Sequence, residues 1–191
     1  PDSHRLNFHY LHSETRLGDP FVKTGAKHEV SDWPSATSKA AEGLNRFKGE
    51  EVAVIGSGRM TNEELYLLRR LSDTLETDLL SLVPRLGESD GKLISADRNP
   101  NTSGAKLIWA SKNPYAKLET IRQGVAEGKI KALIVFYEDL LADAQFEAND
   151  LANLEFLVSN HILTNGTAKA SHVVLPGAGF AEKRGSLVNI T

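Results

Sequence analysis

The sequence predicts an α/β fold: a Rossmann-like parallel sheet with helices on both faces, an N-terminal hairpin extension and an irregular loop layer. Three observations carry this. From Glu51 to Leu175, short apolar runs alternate with amphipathic segments of helical period. Runs such as Glu51–Ile55 and Ile130–Phe136 are apolar and β-branched without polar alternation, as in strands buried on both faces. Helix-start signals separate them, so right-handed crossovers would lay the strands parallel, about five in number. The division expected is an extension over residues 1–48, with hairpin and helix, and a Rossmann-like domain over 49–191.

Within residues 1–32, Phe21–Val30 reads as two short strands around a turn at Gly25. His9 and His12 suggest a metal pair only superficially, because no carboxylate cluster accompanies them. A helix should start after Asp32, a good N-cap, with Pro34 in the first turn. Ala36, Ala40, Leu44 and Phe47 share its inner face, and Gly49 ends it.

The strand Glu51–Ile55 ends at Gly56-Ser57-Gly58, and a second helix follows. There Thr61 and Glu64 have the spacing of a capping box, and Leu65, Leu68, Leu71 and Leu75 line one face. A strand, a glycine turn and a helix start together suit a phosphate, which makes Gly56, Ser57 and Gly58 the candidate cofactor-binding residues. The G-x-G-x-x-G fingerprint is incomplete, since Thr61 stands where the third glycine belongs.

Thr77–Leu82 reads as the next strand. Residues 83–115 hold no strong periodicity and form the irregular layer, with short strands expected at Lys92–Ile94 and Lys106–Trp109 around a turn cluster at Asp97–Ala105. Helices are expected over 114–127 and 142–152, and strands over 130–136, 156–158 and 172–175. A short helix or turn is expected over 164–170. Glu138 and Asp139 lie at a strand edge, where acids serve catalysis or metal binding, but also where they favour a helix start. Pro176 stops the last strand of this series. A glycine-rich bend, a charged turn and a strand-like run at Leu187–Ile190 follow.

Composition narrows the function. The 191 residues carry a net charge of -3 and no basic block, which gives no footprint for nucleic acid. No apolar run approaches the roughly 20 residues of a membrane helix, and no signal-peptide pattern opens the chain. The absence of cysteine excludes disulfides and Cys-ligated zinc or iron–sulfur clusters within the chain. The chain starts at Pro1, has its one methionine at Met60 and stops inside a strand-like run, so it reads as a piece of a longer protein.

Four blocks, in order, carry a family resemblance. They are the stretch from Arg16-Leu17 through Trp33 to Ala41-Glu42-Gly43-Leu44, the run Ile55–Leu71, the loop Arg98–Ala105, and Phe156–Pro176 with its continuation to Asn189. Together they resemble the molybdopterin oxidoreductase superfamily, and most of all the large iron–sulfur subunit (the G subunit) of NADH:quinone oxidoreductase, respiratory complex I. His161 and His172 depart from the family pattern, which has Asp at both places. They read as hydrogen-bonded histidines rather than as metal ligands.

The resemblance implies a Rossmann-like domain beside a cluster-bearing part of the same chain. It implies a non-catalytic scaffold, with no cofactor of its own and no catalytic or metal-ligating residue. The parent would carry iron–sulfur clusters and have the other complex I subunits as partners. It would sit in the cytoplasm, peripheral to the inner membrane. The alternative is a fragment of a formate-dehydrogenase-like molybdopterin oxidoreductase. There Gly56, Ser57 and Gly58, with the edges near His161, Pro176 and Glu182, would contact the phosphates or guanine of molybdopterin guanine dinucleotide.

Overall fold

A computed structural model describes residues 8–188. Its seven-stranded sheet has the order β2-β1-β7-β6-β5-β3-β4. The strands are β1 (Phe21–Thr24), β2 (Lys27–Val30), β3 (Val52–Gly56), β4 (Leu80–Leu82), β5 (Ala132–Phe136), β6 (Phe156–His161) and β7 (Val173–Pro176). Strands β3 to β7 run parallel to one another, giving the five expected. The β1–β2 hairpin joins the β7 edge antiparallel, with Phe21 opposite Val174.

Helices cover both faces because the strands are apolar on both. Val52, Val54, Ile134 and Val158 face one core with Ala36, Ala40 and Leu44 of α1 (Trp33–Leu44) and Leu65 and Leu68 of α2 (Asn62–Thr74). Ala105 of α3 (Thr102–Ile108) joins this core. Ala53, Ile55, Leu133, Val135 and Leu157 face the other, with Ile121 and Val125 of α4 (Leu118–Ala126), Leu140 of α5 (Leu140–Asp143) and Leu151 of α6 (Ala148–Ala152). A last helix, α7 (Gly166–Ala170), precedes β7. The caps are those the sequence signals. Asp32 accepts from the Ser35 amide at 2.7 Å, and Thr61 and Glu64 close the capping box. Where α1 meets β6 the packing is tight: a methyl group on Gly43 would collide with the Phe156 ring.

Several expectations are corrected. Lys106–Ile108 lies in α3, not in a strand, because the turn cluster before it starts a helix at Thr102. Lys92–Ile94 is a bend whose three amides bond to Asp90 Oδ1. The helix expected over 142–152 is two short helices, parted at Gln145, whose φ of 56° lies in the left-handed region. Leu187 and Val188 are not in a strand, and the rest of that expected run, Asn189 and Ile190, lies outside the described residues.

Candidate functional site

In such sheets ligands bind beyond the carboxyl ends of the strands, at the switch point where the strand order reverses. Counted over the parallel strands, the order here is 2-1-3-4-5, so the switch point lies between β3 and β5. Gly56-Ser57-Gly58 borders it from β3, and Glu138 and Asp139 border it from β5.

The chain's own side chains occupy this crevice. Arg85, three residues beyond β4, forms a two-pronged ion pair with Glu138: Nη1 donates to Oε1 at 2.8 Å and Nη2 to Oε2 at 2.5 Å. The guanidinium also reaches Asp143 at 3.2 Å and the Asn99 side-chain oxygen at 3.4 Å. The Glu138 side chain is fully buried, as is Ser57 nearby. Burial pushes the Glu138 carboxyl up, while Arg85 and Ser57 pull it back. Glu138 in turn holds the Arg85 guanidinium more firmly protonated.

The glycines accommodate the same filling. A methyl group on Gly56 would collide with Leu68, and one on Gly58 would meet the Asn99 side chain at 2.5 Å. The Gly58 carbonyl accepts from the Asn101 amide at 2.9 Å. The close approach that Gly58 permits is thus to the 83–115 layer, which folds over the end of β3.

Both nearby helix starts are also engaged. At α2, the Asn62 amide donates to the Ser186 carbonyl at 2.8 Å, and the capping box uses the amides of Thr61 and Glu64. At α7, the Asp139 carboxylate accepts from the amides of Gly166 and Thr167, each at 3.2 Å, and from the Thr167 hydroxyl at 3.0 Å. A carboxylate there is where a helix start favours negative charge.

Residues 177–188 run as a strap from β7 to α2. Glu182 accepts from Arg16 at 2.6 Å, Lys183 donates to Glu64 at 2.7 Å, and the Ser186 amide and hydroxyl donate to Glu63 at 3.0 and 2.8 Å. Those Ser186 bonds draw the Glu63 carboxyl down to about 2. The Val188 amide ends the strap on Asn101, at 2.9 Å.

His172 accepts the Leu157 amide on Nδ1 at 3.0 Å and stacks on Phe156, with ring centroids 5.4 Å apart. His161 Nδ1 accepts the Leu163 amide at 3.1 Å. Burial lowers the pKa of both rings. His9 and His12 share a single short 3-10 turn. Among the described residues, no three His, Asp or Glu gather as a metal site. Sequence reasoning missed Arg85 and Asn99 and, of the strap, reached only Glu182; the signal in the crevice was the adjacent acids Glu138 and Asp139 at a buried strand end.

Comparisons with known proteins agree on a class. No protein-family model matches the chain. It is 31% identical over 94 residues to the G subunit of the NADH-quinone oxidoreductase of Streptomyces coelicolor, covering 47% of this chain and 11% of that protein. It is 32% identical over 68 residues to the alpha subunit of an F420-dependent formate dehydrogenase from Methanococcus maripaludis, covering 36% and 10%. It is 38% identical over 71 residues to the alpha subunit of an NADPH-Fe(3+) oxidoreductase from Geobacter sulfurreducens, covering 35% and 8%. The chain spans about a tenth of the length of these relatives. All three are oxidoreductase subunits, and it is to parts of such subunits that this chain is similar.

Proposed function

We propose that this chain is a non-catalytic scaffold domain of the large iron–sulfur subunit of an NADH:quinone oxidoreductase. It would support electron transfer by iron–sulfur clusters elsewhere in that assembly, packed beside the other subunits at the cytoplasmic side of the membrane. One observation carries the reading. The switch-point crevice is filled by the Arg85–Glu138 pair and Asn99, and the two helix starts beside it are bonded to Ser186 and Asp139. A dinucleotide would have to displace a buried, doubly hydrogen-bonded ion pair, and breaking such a pair is costly.

The similarity to formate dehydrogenase alpha subunits favours a second reading. In it the chain is part of a molybdopterin oxidoreductase, and Gly56, Ser57 and Gly58 contact molybdopterin guanine dinucleotide. Thermal unfolding with GDP, NADH and a molybdopterin guanine dinucleotide preparation separates the two, because a ligand bound to the native state raises the midpoint. The scaffold reading expects no shift with any of the three. A saturable rise with the guanine compounds, abolished by Gly58→Val, would replace it with the second reading.

A further inference from the structure

A cavity of about 270 Å³ opens on the α1–α2 face of the sheet, clear of the switch-point crevice. Its apolar wall is Met60, Leu67, Leu68 and Leu71 on one side and Phe136 and Tyr137 on the other. Leu67 stays 64% exposed at its mouth, although the neighbouring Leu65 and Leu68 are buried.

The two aromatics are neighbours in sequence, and a regular strand would send them to opposite faces. Along β5 the alternation holds from Ala132 to Phe136: Ala132, Ile134 and Phe136 on the α1–α2 face, Leu133 and Val135 on the other. Tyr137 breaks it, packing on the same face as Phe136. Its φ is 59°, a left-handed conformation that strains a bulky residue. The fold holds that strain by fastening the ring: Tyr137 donates to Glu64 at 3.3 Å, and Lys183 sits 4.3 Å from its centroid.

The polar groups at the cavity specify charge and orientation. Glu64 is consumed, its two oxygens accepting from Lys183, Tyr137 and the Thr61 amide. Among the described residues no unpaired cation lines the cavity, which leaves nothing to hold a phosphate. Asn160 lines the cavity and spends its amide N–H groups on the carbonyls of Leu175 and Pro176, at 3.3 and 3.2 Å. Its side-chain oxygen therefore offers an acceptor, and among the described residues no donor bonds to it.

We propose that this cavity is a binding site for a neutral aromatic molecule of one or two fused rings carrying a hydrogen-bond donor. The rings would lie between Leu67, Leu71 and Phe136, with the donor on Asn160. Size argues for a small molecule. Drug-sized ligands take about 300 Å³ or more, and a helix is about 10 Å across, so the space suits one ring system. A stable protein partner would need about 800 Å² of surface, which a cavity of this size does not supply. The proposal does not rest on the scaffold reading, because none of the crevice residues Arg85, Asn99 and Glu138 lines this cavity.

The test is an NMR titration of the whole chain, labelled at the Leu and Met methyl groups, with indole and with benzothiophene, which has the same shape and no donor. Indole should give saturable shifts at Met60, Leu67, Leu68 and Leu71, and bind about fivefold more tightly than benzothiophene, as one hydrogen bond implies. Leu67→Lys, at an exposed position, should weaken indole at least tenfold without lowering the unfolding midpoint. Leu71→Trp, which fills the space from within, should abolish binding. No saturable shift, shifts confined to other methyl groups, or equal affinity for the two probes would overturn the proposal. So would a concentration-dependent dimer in sedimentation that Leu67→Lys dissolves, since a second copy would then be the occupant.

Discussion

Arg85 and Glu138 form the least replaceable contact at the head of the sheet. Glu138 has no access to water and, among the described residues, no other cation, so removing Arg85 leaves a buried acid unpaired. Arg85→Met should cost about 3 kcal/mol in urea unfolding, and the double change Arg85→Met with Glu138→Leu should recover most of it. His172 sets a pH dependence of opposite origin. Burial lowers its pKa in the fold, helped by Lys23, His28 and Arg46, so the native state binds fewer protons than the unfolded chain near pH 6.5. Its contribution is complete above the unfolded value and is lost as pH falls through the lower folded value. His172→Gln can still accept the Leu157 amide but does not titrate. It should flatten the slope of stability against pH below 6.5, in denaturation curves taken at several pH values.

At the scale of elements, what the sequence discloses depends on whether the signal is local. Both predicted caps are present, because Asp32 and Thr61 act on amides three residues away. All five parallel strands are present for a similar reason: Val, Ile and Leu runs buried on both faces have few other solutions. The break between α5 and α6 was hidden, because nothing in Ala144-Gln145-Phe146 resembles a helix stop. Gln145 adopts a left-handed conformation so that Phe146 can turn into the core. Gln145→Gly should therefore stabilise the fold by about 0.5–1 kcal/mol, measured by chemical unfolding. The contents of the crevice were equally hidden. Arg85 and Glu138 are 53 residues apart, and no periodicity connects them. Gly56-Ser57-Gly58 was legible as a tight turn, whereas the side chains that fill the crevice beside it come from distant stretches, Arg85 and Asn99 from residues 83–115 and Glu138 from the end of β5.

For the molecule as a whole, the strap unites the head of the sheet by crossing from β7 to α2. Its bonds to Glu63 require the ionised carboxyl, whose folded pKa of about 2 lies below the unfolded value of 4.5. The docking contributes to stability above pH 4.5 and is lost as pH falls towards 2. Acidification should therefore shift the Ser186 amide signal over that range before the strands unfold. Glu63→Gln should abolish this titration while leaving the Val188 amide on Asn101.

The antiparallel hairpin has a consequence for how the chain is made. β1 pairs with β2 at once, but its other edge waits for β7, with Phe21 meeting Val174 across most of the chain. During synthesis the hairpin therefore leaves the ribosome long before its partner strand exists. Its apolar edge would stay open through that interval, and contacts so distant in sequence form slowly. A chain truncated just before Val173 should thus leave Phe21–Val30 open to protease, and the full chain, which carries Val173–Pro176, should close it.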